Sequence, residues 1–231
     1  LGSFAPWLGG AVDRLAFDSV RAELWAARHD TIFRVRDGGT RADTLTRRDG
    51  LPEAPYRFLR HARLDDGRAV VLVGSLQGLA VADADAPRPA FVRWATTNVA
   101  GLHDQTIVTS ALFPDGRLVL GTAAGIAVLR LARPVTAAPR VLAWYDEEDG
   151  LADPLAYNTM RTPGRTTLFV ATARGIGQVD VPEDAPRPIG RVPLVVHVTG
   201  GRDDRTLADS AVLAWDDRVV HVDARLVTLR H

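Results

Sequence analysis

The stretch Leu118-Val119-Leu120-Gly121-Thr122-Ala123-Ala124-Gly125-Ile126 decides the fold, because the same phrase returns elsewhere in the chain. Val71-Leu72-Val73-Gly74-Ser75-Leu76-Gln77-Gly78-Leu79 and Leu168-Phe169-Val170-Ala171-Thr172-Ala173-Arg174-Gly175-Ile176 share its pattern. That pattern is three apolar residues, a small residue, Ser or Thr, two variable positions, then Gly and Leu or Ile. A degraded copy begins at Glu23-Leu24-Trp25-Ala26-Ala27, with Thr31 in place of the second Gly. The small residues are 47 (Ala27 to Gly74), 47 (Gly74 to Gly121) and 50 (Gly121 to Ala171) positions apart. Three further markers keep the same phase: Asp49-Gly50-Leu51, Ala100-Gly101-Leu102 and Asp149-Gly150-Leu151; Asp66-Gly67-Arg68, Asp115-Gly116-Arg117 and Pro163-Gly164-Arg165; and Ala86-Pro87-Arg88, Ala138-Pro139-Arg140 and Ala185-Pro186-Arg187. Four markers in register identify an internal repeat.

Within one unit every segment reads as strand. Asp-Gly between apolar runs is a hairpin signal, because Gly tolerates positive φ and Asp bonds its own backbone. Ile107 to Phe113 fits an inner strand, Arg117 to Gly121 a second and Gly125 to Arg130 a third. Phe91 to Trp94 and Val141 to Tyr145 fit an outer, fourth strand. No helical period is evident in windows of about 11 residues or more. Four strands repeated at this spacing predict an all-β fold of β-propeller blades, four of them visible. The markers stop after Pro188, so residues 1–188 are expected to form the blades and 189–231 a second domain. There Val192 to Val198, Ala211 to Trp215 and the stretch from Val219 read as strands, with a charged turn at Gly200 to Arg205.

Composition limits the function. The 231 residues carry 28 basic and 28 acidic side chains, a net charge of zero, which removes the basic field that nucleic acid or an anionic membrane surface calls for. With 0 Cys there is no disulfide framework, thiolate metal site or cysteine nucleophile. All the basic residues are Arg, an imprint of GC-rich coding from which no function follows. The longest uncharged stretch, Ala69 to Ala82, contains Gly74, Gln77 and Gly78 and is shorter than the ~20 residues of a membrane helix. Leu1 opens the sequence without a basic segment and apolar run, so any targeting segment is expected outside it.

The repeat resembles the two-component regulator propeller, whose unit runs as Asp-Gly-Leu-Pro, an inner strand, Asp-x-x-Gly and then Leu-Trp-Ile-Gly-Thr-x-x-Gly-Leu. Asp49-Gly50-Leu51-Pro52, Leu24-Trp25 and Gly121-Thr122-Ala123-Ala124-Gly125-Ile126 carry the match. Val119 and Phe169 stand in place of the Trp, Ala27 and Ala171 in place of the Gly, and Ala54 where the family has Asn. The segment from Arg191 is similar in position to the triple-tyrosine domain, an Ig-like β-sandwich that follows such propellers, here cut short at His231. The resemblance implies about seven blades in the whole propeller, and a periplasmic or otherwise extracytoplasmic sensor of a membrane-bound, often hybrid, histidine kinase. It also implies a homodimer, with membrane helix and kinase beyond His231. An open four-blade arc would leave sheet surface uncovered, so the chain by itself is expected to be poorly stable or to associate.

No catalytic pattern is present: no Gly-x-Ser-x-Gly, no His-Glu-x-x-His, no phosphate loop and no dinucleotide fingerprint. His29-Asp30 and His103-Asp104 are adjacent pairs whose side chains diverge on a strand or loop, and strand faces account for His197, His221 and His231. Asp146-Glu147-Glu148-Asp149 reads as a solvated turn, since a hard cation needs oxygens from several positions. Trp25, Trp94 and Trp144 read as packing between blades, and the repeated glycines as turn and close-approach positions. No catalytic residue, metal or cofactor is therefore assigned.

Binding candidates follow from topology. In a propeller the link between blades and the turn joining second and third strands emerge on one face. The links contribute Glu53, His103, Asp104, Gln105 and Asp153, and the turns Arg28, His29, Gln77 and Arg174. Variable loops on a repeating scaffold are where a binding face belongs. The expected function is a sensor that binds a small molecule or oligosaccharide there, not an enzyme. The alternatives are an enzyme resembling the virginiamycin B lyase propeller, built from His103 with Glu53 or Asp153, and a protein-interaction scaffold, which fold alone leaves open.

Overall fold

The computed structural model describes residues 11–151, 153–161 and 166–184 in full, together with the backbone of the strands Leu194–Gly200, Arg205–Thr206 and Val220–Leu226. By internal contacts the chain divides into Leu1–Ala185 and Pro186–His231.

The first unit is built from antiparallel meanders, one per repeat, as the propeller reading requires. The first sheet contains β1 (Arg14–Asp18), β2 (Glu23–Arg28), β3 (Thr31–Arg36) and β4 (Arg41–Leu45) in chain order. The second contains β5 (Phe58–Arg63), β6 (Ala69–Ser75), β7 (Gly78–Asp83) and β8 (Val92–Trp94). The third contains β9 (Ile107–Leu112), β10 (Arg117–Thr122), β11 (Ile126–Arg130) and β12 (Arg140–Tyr145). The fourth contains β13 (Ala156–Arg161), β14 (Thr167–Thr172) and β15 (Gly175–Asp180). The only helical pieces among the described residues are three single turns of 3-10 type.

The continuous apolar runs follow from burial on both faces. In β6, Leu72 packs with Leu118 and Leu120 of the next sheet, while Val71 and Val73 pack with Trp25 and Ile32 of the previous one. Val119 turns the other way, towards Leu168 and Val170 of the fourth sheet. Three apolar clusters thus lie between consecutive sheets, and Trp25 and Trp94 are buried in two of them with Trp144 packed against the rim. The outer faces of the first and fourth sheets have no such cover among the described residues. Phe17 is 59% exposed on the first, and Ile176 is 79% exposed on the fourth.

The Asp-Gly pairs prove to be of two kinds. Asp66-Gly67 and Asp115-Gly116 turn the hairpins β5–β6 and β9–β10. Asp49-Gly50 and Asp149-Gly150 instead end a 3-10 turn in the link between sheets, with Gly50 and Gly150 left-handed at φ 92° and 94°. Each of these turns is closed by a capping box, Thr46 with Asp49 and Asp146 with Asp149, so the acidic run from Asp146 serves the backbone.

The Asp-Gly-Arg marker also joins neighbouring sheets. Asp66 Oδ2 and Asp115 Oδ2 each accept from the Nε of the Arg two residues on, both at 2.7 Å. Arg68 then donates to the Ala132 carbonyl and Arg117 to the Val181 carbonyl, each just past the third strand of the following sheet. The Pro163-Gly164-Arg165 and Ala185-Pro186-Arg187 copies lie outside the described residues.

In the second unit, β16 (Leu194–Gly200) lies between β17 (Arg205–Thr206) and β18 (Val220–Leu226), all antiparallel. The expected charged turn is shorter than the sequence suggested, because Arg205 pairs back with Gly200 and Thr206 with Thr199. The strand expected at Ala211 to Trp215 lies outside the described residues.

Candidate functional site

Links and second-to-third-strand turns meet on one face, and acidic side chains join them. Asp13, leading into the first sheet, accepts from His29 N at 2.9 Å in that sheet's turn. Glu53, leading into the second, accepts from Gln77 Nε2 at 2.7 Å. Asp104, leading into the third, accepts from Ala123 N at 2.9 Å and Ala124 N at 3.1 Å, and its other oxygen caps Thr106 N. The fourth counterpart, Asp153, caps Leu155 N at 2.9 Å. Asp104 and Asp153 therefore hold backbone.

Among the sequence candidates, Glu53, Gln77 and Gln105 come together around a groove of two lobes. One lobe, of about 410 Å³, is lined by Arg47, Gly50, Leu51, Glu53, Gln77, Phe91 and Arg93. The other, of about 490 Å³, is lined by Gln77, Arg93, Ala95, Thr97, Asn98 and Gln105. Gln77 and Arg93 line both. The repeat glycine Gly78 makes this juxtaposition possible: it has φ 127°, and a Cβ there would lie 2.5 Å from the Trp94 carbonyl oxygen. The turn bearing Gln77 can lie against the end of β8 only because that position has no side chain.

The electrostatics of the groove are asymmetric. Arg47 Nη1 lies 2.8 Å from one oxygen of Glu53, and Gln77 donates to the other. The Gln77 amide and the Arg47 guanidinium hold the Glu53 carboxyl below the usual carboxylate range. Asn98 is also committed: Oδ1 accepts from Ala95 N at 2.8 Å, and Nδ2 donates to the Arg93 carbonyl at 2.7 Å. Thr96 and Gln105 Oε1 are 3.5 Å apart.

The remaining candidates lie elsewhere. His103 packs on Trp144, with ring centroids 4.8 Å apart. His29 sits in its turn with a positive φ of 50°, next to Arg28, and Arg174 occupies the corresponding turn of the fourth sheet. Among the described residues there is no group of three or more His, Cys, Asp or Glu that could hold a metal ion.

Arg47, Arg93, Thr97 and Asn98 were not among the sequence candidates. The Gly-Leu marker points only to the part of each link that follows it, whereas the face begins at the end of the outer strand. In Val92-Arg93-Trp94 only Trp94 is buried, and an Arg beside the last residue of the outer strand was the available signal.

No protein-family profile matches the chain, and no curated protein sequence matches it. Its structure is similar to the extracellular domain of the hybrid two component system BT3049 from B. thetaiotaomicron, with 13% identity, a TM-score of 0.59, and coverage of 89% of this chain and 26% of that one. Also matched are the extracellular domain of the one component system BT4673 from the same organism, at 12% identity, TM-score 0.44 and 72% and 27% coverage, and PorZ, a surface component of the type-IX secretion system of Porphyromonas gingivalis, at 14% identity, TM-score 0.44 and 85% and 38% coverage. The likeness to BT3049 shows the fold, and this chain spans about a quarter of that structure's length. Among the described residues no helix is long and apolar enough to cross a membrane.

Proposed function

We propose that the chain is the extracytoplasmic, ligand-sensing part of a two-component signalling protein. It binds a small molecule or oligosaccharide in the groove at Gln77 and Arg93, and the signal passes through an Ig-like sandwich beginning near residue 189 to a histidine kinase in the membrane. The observation that carries this reading is the groove itself: polar, open and built from variable links on sheets that repeat. A face of amides, a hydroxyl and a net excess of one positive charge suits hydroxylated ligands, which are recognised by a few well-placed polar groups. The fold likeness to the extracellular domain of BT3049 supports the same reading. The role is binding without turnover, and paired subunits in the whole protein carry the signal.

The test is a titration of the 231-residue chain with a library of oligosaccharides and small metabolites, followed by NMR of the side-chain amides. A ligand of this site shifts Gln77 and Gln105, is recovered unchanged, and loses affinity in the Gln77→Ala/Gln105→Ala double variant. Binding that ignores the double variant, or a ligand converted to product, would overturn the proposal.

A further inference from the structure

Resting on that reading, we infer that the groove selects an acidic ligand, one whose carboxylate is held by Arg93 with hydroxyl groups on either side. The argument begins with the charges. Three charged groups line the two lobes: Arg47, Glu53 and Arg93. Arg47 and Glu53 cancel one another at 2.8 Å. Arg93 has no carboxylate within ion-pair distance among the described residues, although its charge also acts on Glu53, so two guanidiniums face one carboxylate and the groove carries an excess of one positive charge. Among the described residues Arg93 is the only charged group lining the lobe of about 490 Å³.

Arg93 is also held ready. Its residue pairs with Ala80 in the β7–β8 ladder, and its carbonyl is tied by Asn98 Nδ2 at 2.7 Å. A guanidinium on a fixed backbone offers a planar fork of donors that matches a carboxylate in bidentate fashion. The surrounding polar groups have complementary vacancies. Gln77 uses Nε2 on Glu53, which leaves Oε1 as an acceptor for a ligand hydroxyl. Gln105 approaches Thr96 through Oε1, leaving its NH₂ as a donor, and the Thr97 hydroxyl lines the same lobe. Charge at one point with acceptor and donors beside it is the complement of a uronic acid residue in a sugar chain. The net charge of zero means that no long-range field does this work, so recognition depends on Arg93 itself.

The test compares three probes on the 231-residue chain by calorimetry: trigalacturonate, its fully methyl-esterified form and galactotriose. The ester keeps the shape and hydroxyls of the acid while removing its charge. The expected result is that the acid binds at least tenfold more tightly than either neutral probe. Arg93→Gln should then remove that advantage, bringing the acid to the affinity of its ester, while Arg93→Lys retains part of it. Equal affinity for acid and ester, or an acid affinity untouched by Arg93→Gln, overturns the charge assignment. If only the neutral probes bind, and they shift Gln77 and Gln105, the acidic inference fails while the sensing reading stands. If none of the three binds, the inference fails; whether any hydroxylated ligand shifts Gln77 then decides the broader reading separately.

Discussion

Arg68 and Arg117 occupy the same position in consecutive sheets and make the same bonds, yet they differ in burial, which makes them a built-in comparison. Each is braced by the Asp two residues earlier and reaches a carbonyl of the next sheet. The Arg117 side chain is 7% exposed, against 25% for Arg68. Arg117 also lies over the Phe113 ring, 5.1 Å from its centroid. Replacing Arg117 with Met keeps much of the stem and removes the charge, leaving the Val181 carbonyl without its donor. A hydrogen bond from a charged donor contributes about 1.5–3 kcal/mol, and a partly desolvated cation–π contact about 1 kcal/mol. Arg117→Met should therefore cost about 3 kcal/mol. Arg68→Met has no aromatic contact to lose and a wetter site, so about 1 kcal/mol is expected. Urea unfolding followed by tryptophan fluorescence, at low protein concentration, should show the larger fall in midpoint for Arg117→Met at unchanged slope. Equal losses in the two variants, or a loss below about 1 kcal/mol for Arg117→Met, would refute the view that this marker latches the sheets through a buried carbonyl.

His61 stacks near Trp25 in the interface between the first two sheets, with Nε2 3.3 Å from Asp18, and Arg63, Glu23 and Asp85 also act on it. Burial pushes its pKa below the usual 6.5 despite the pull of Asp18. The unfolded chain therefore takes up the proton first: stability is full above pH ~6.5 and declines as pH falls towards the folded value, by at most about 1.4 kcal/mol per pH unit. Unfolding midpoints at pH 7.5 and 5.5 should diverge in the parent and converge in His61→Phe. At Gly121 an added Cβ would lie 2.5 Å from Thr109 Cγ2 and 2.7 Å from the Ala156 Cβ in the next sheet. Gly121→Ala should accordingly destabilise by about 1–3 kcal/mol in the same assay, and no loss would show that the sheets can separate there without cost. Phe17 and Ile176 expose apolar surface on the two outer sheet faces. Phe17→Glu/Ile176→Glu should shift the sedimentation of the 231-residue chain towards monomer, and an unchanged distribution would place self-association elsewhere.

The fold was legible because a propeller repeats its hardest packing problem. Leu72, Val119 and Phe169 occupy one position of the repeat, and in the second and third sheets that position is buried against a neighbour. A run apolar on every residue is what a strand covered on both faces needs, and its recurrence distinguishes it from a lone buried helix segment. The two kinds of Asp-Gly pair were less legible, although the distinguishing signal was present. Thr46 and Asp146 stand three residues before Asp49 and Asp149, the spacing of a capping box, whereas Asp66 and Asp115 follow a Leu-Asp and a Phe-Pro corner just past a strand. The latch was not legible at all. Its partners are 64 residues apart in both copies, and the acceptor is a backbone carbonyl, which leaves no mark on sequence.

The candidate face divides along the same line between local and distant causes. Topology placed Glu53, Gln77 and Gln105 on one face, and they do meet around one groove. It could not separate side chains available to a ligand from those already used, because that depends on what each carboxylate reaches. Asp104 and Glu53 occupy comparable links, yet Asp104 is spent on three backbone N–H groups while Glu53 binds two side chains. The difference lies in the turn opposite. Ala123-Ala124 offers Asp104 only backbone, whereas Leu76-Gln77 offers Glu53 an amide long enough to reach it. By drawing in both Gln77 and Arg47, Glu53 fixes one wall of the groove and neutralises one of its two cations. On the proposed reading, Glu53 thereby sets the ligand charge that the groove would take without needing to touch the ligand, and Arg93 is what remains to receive it.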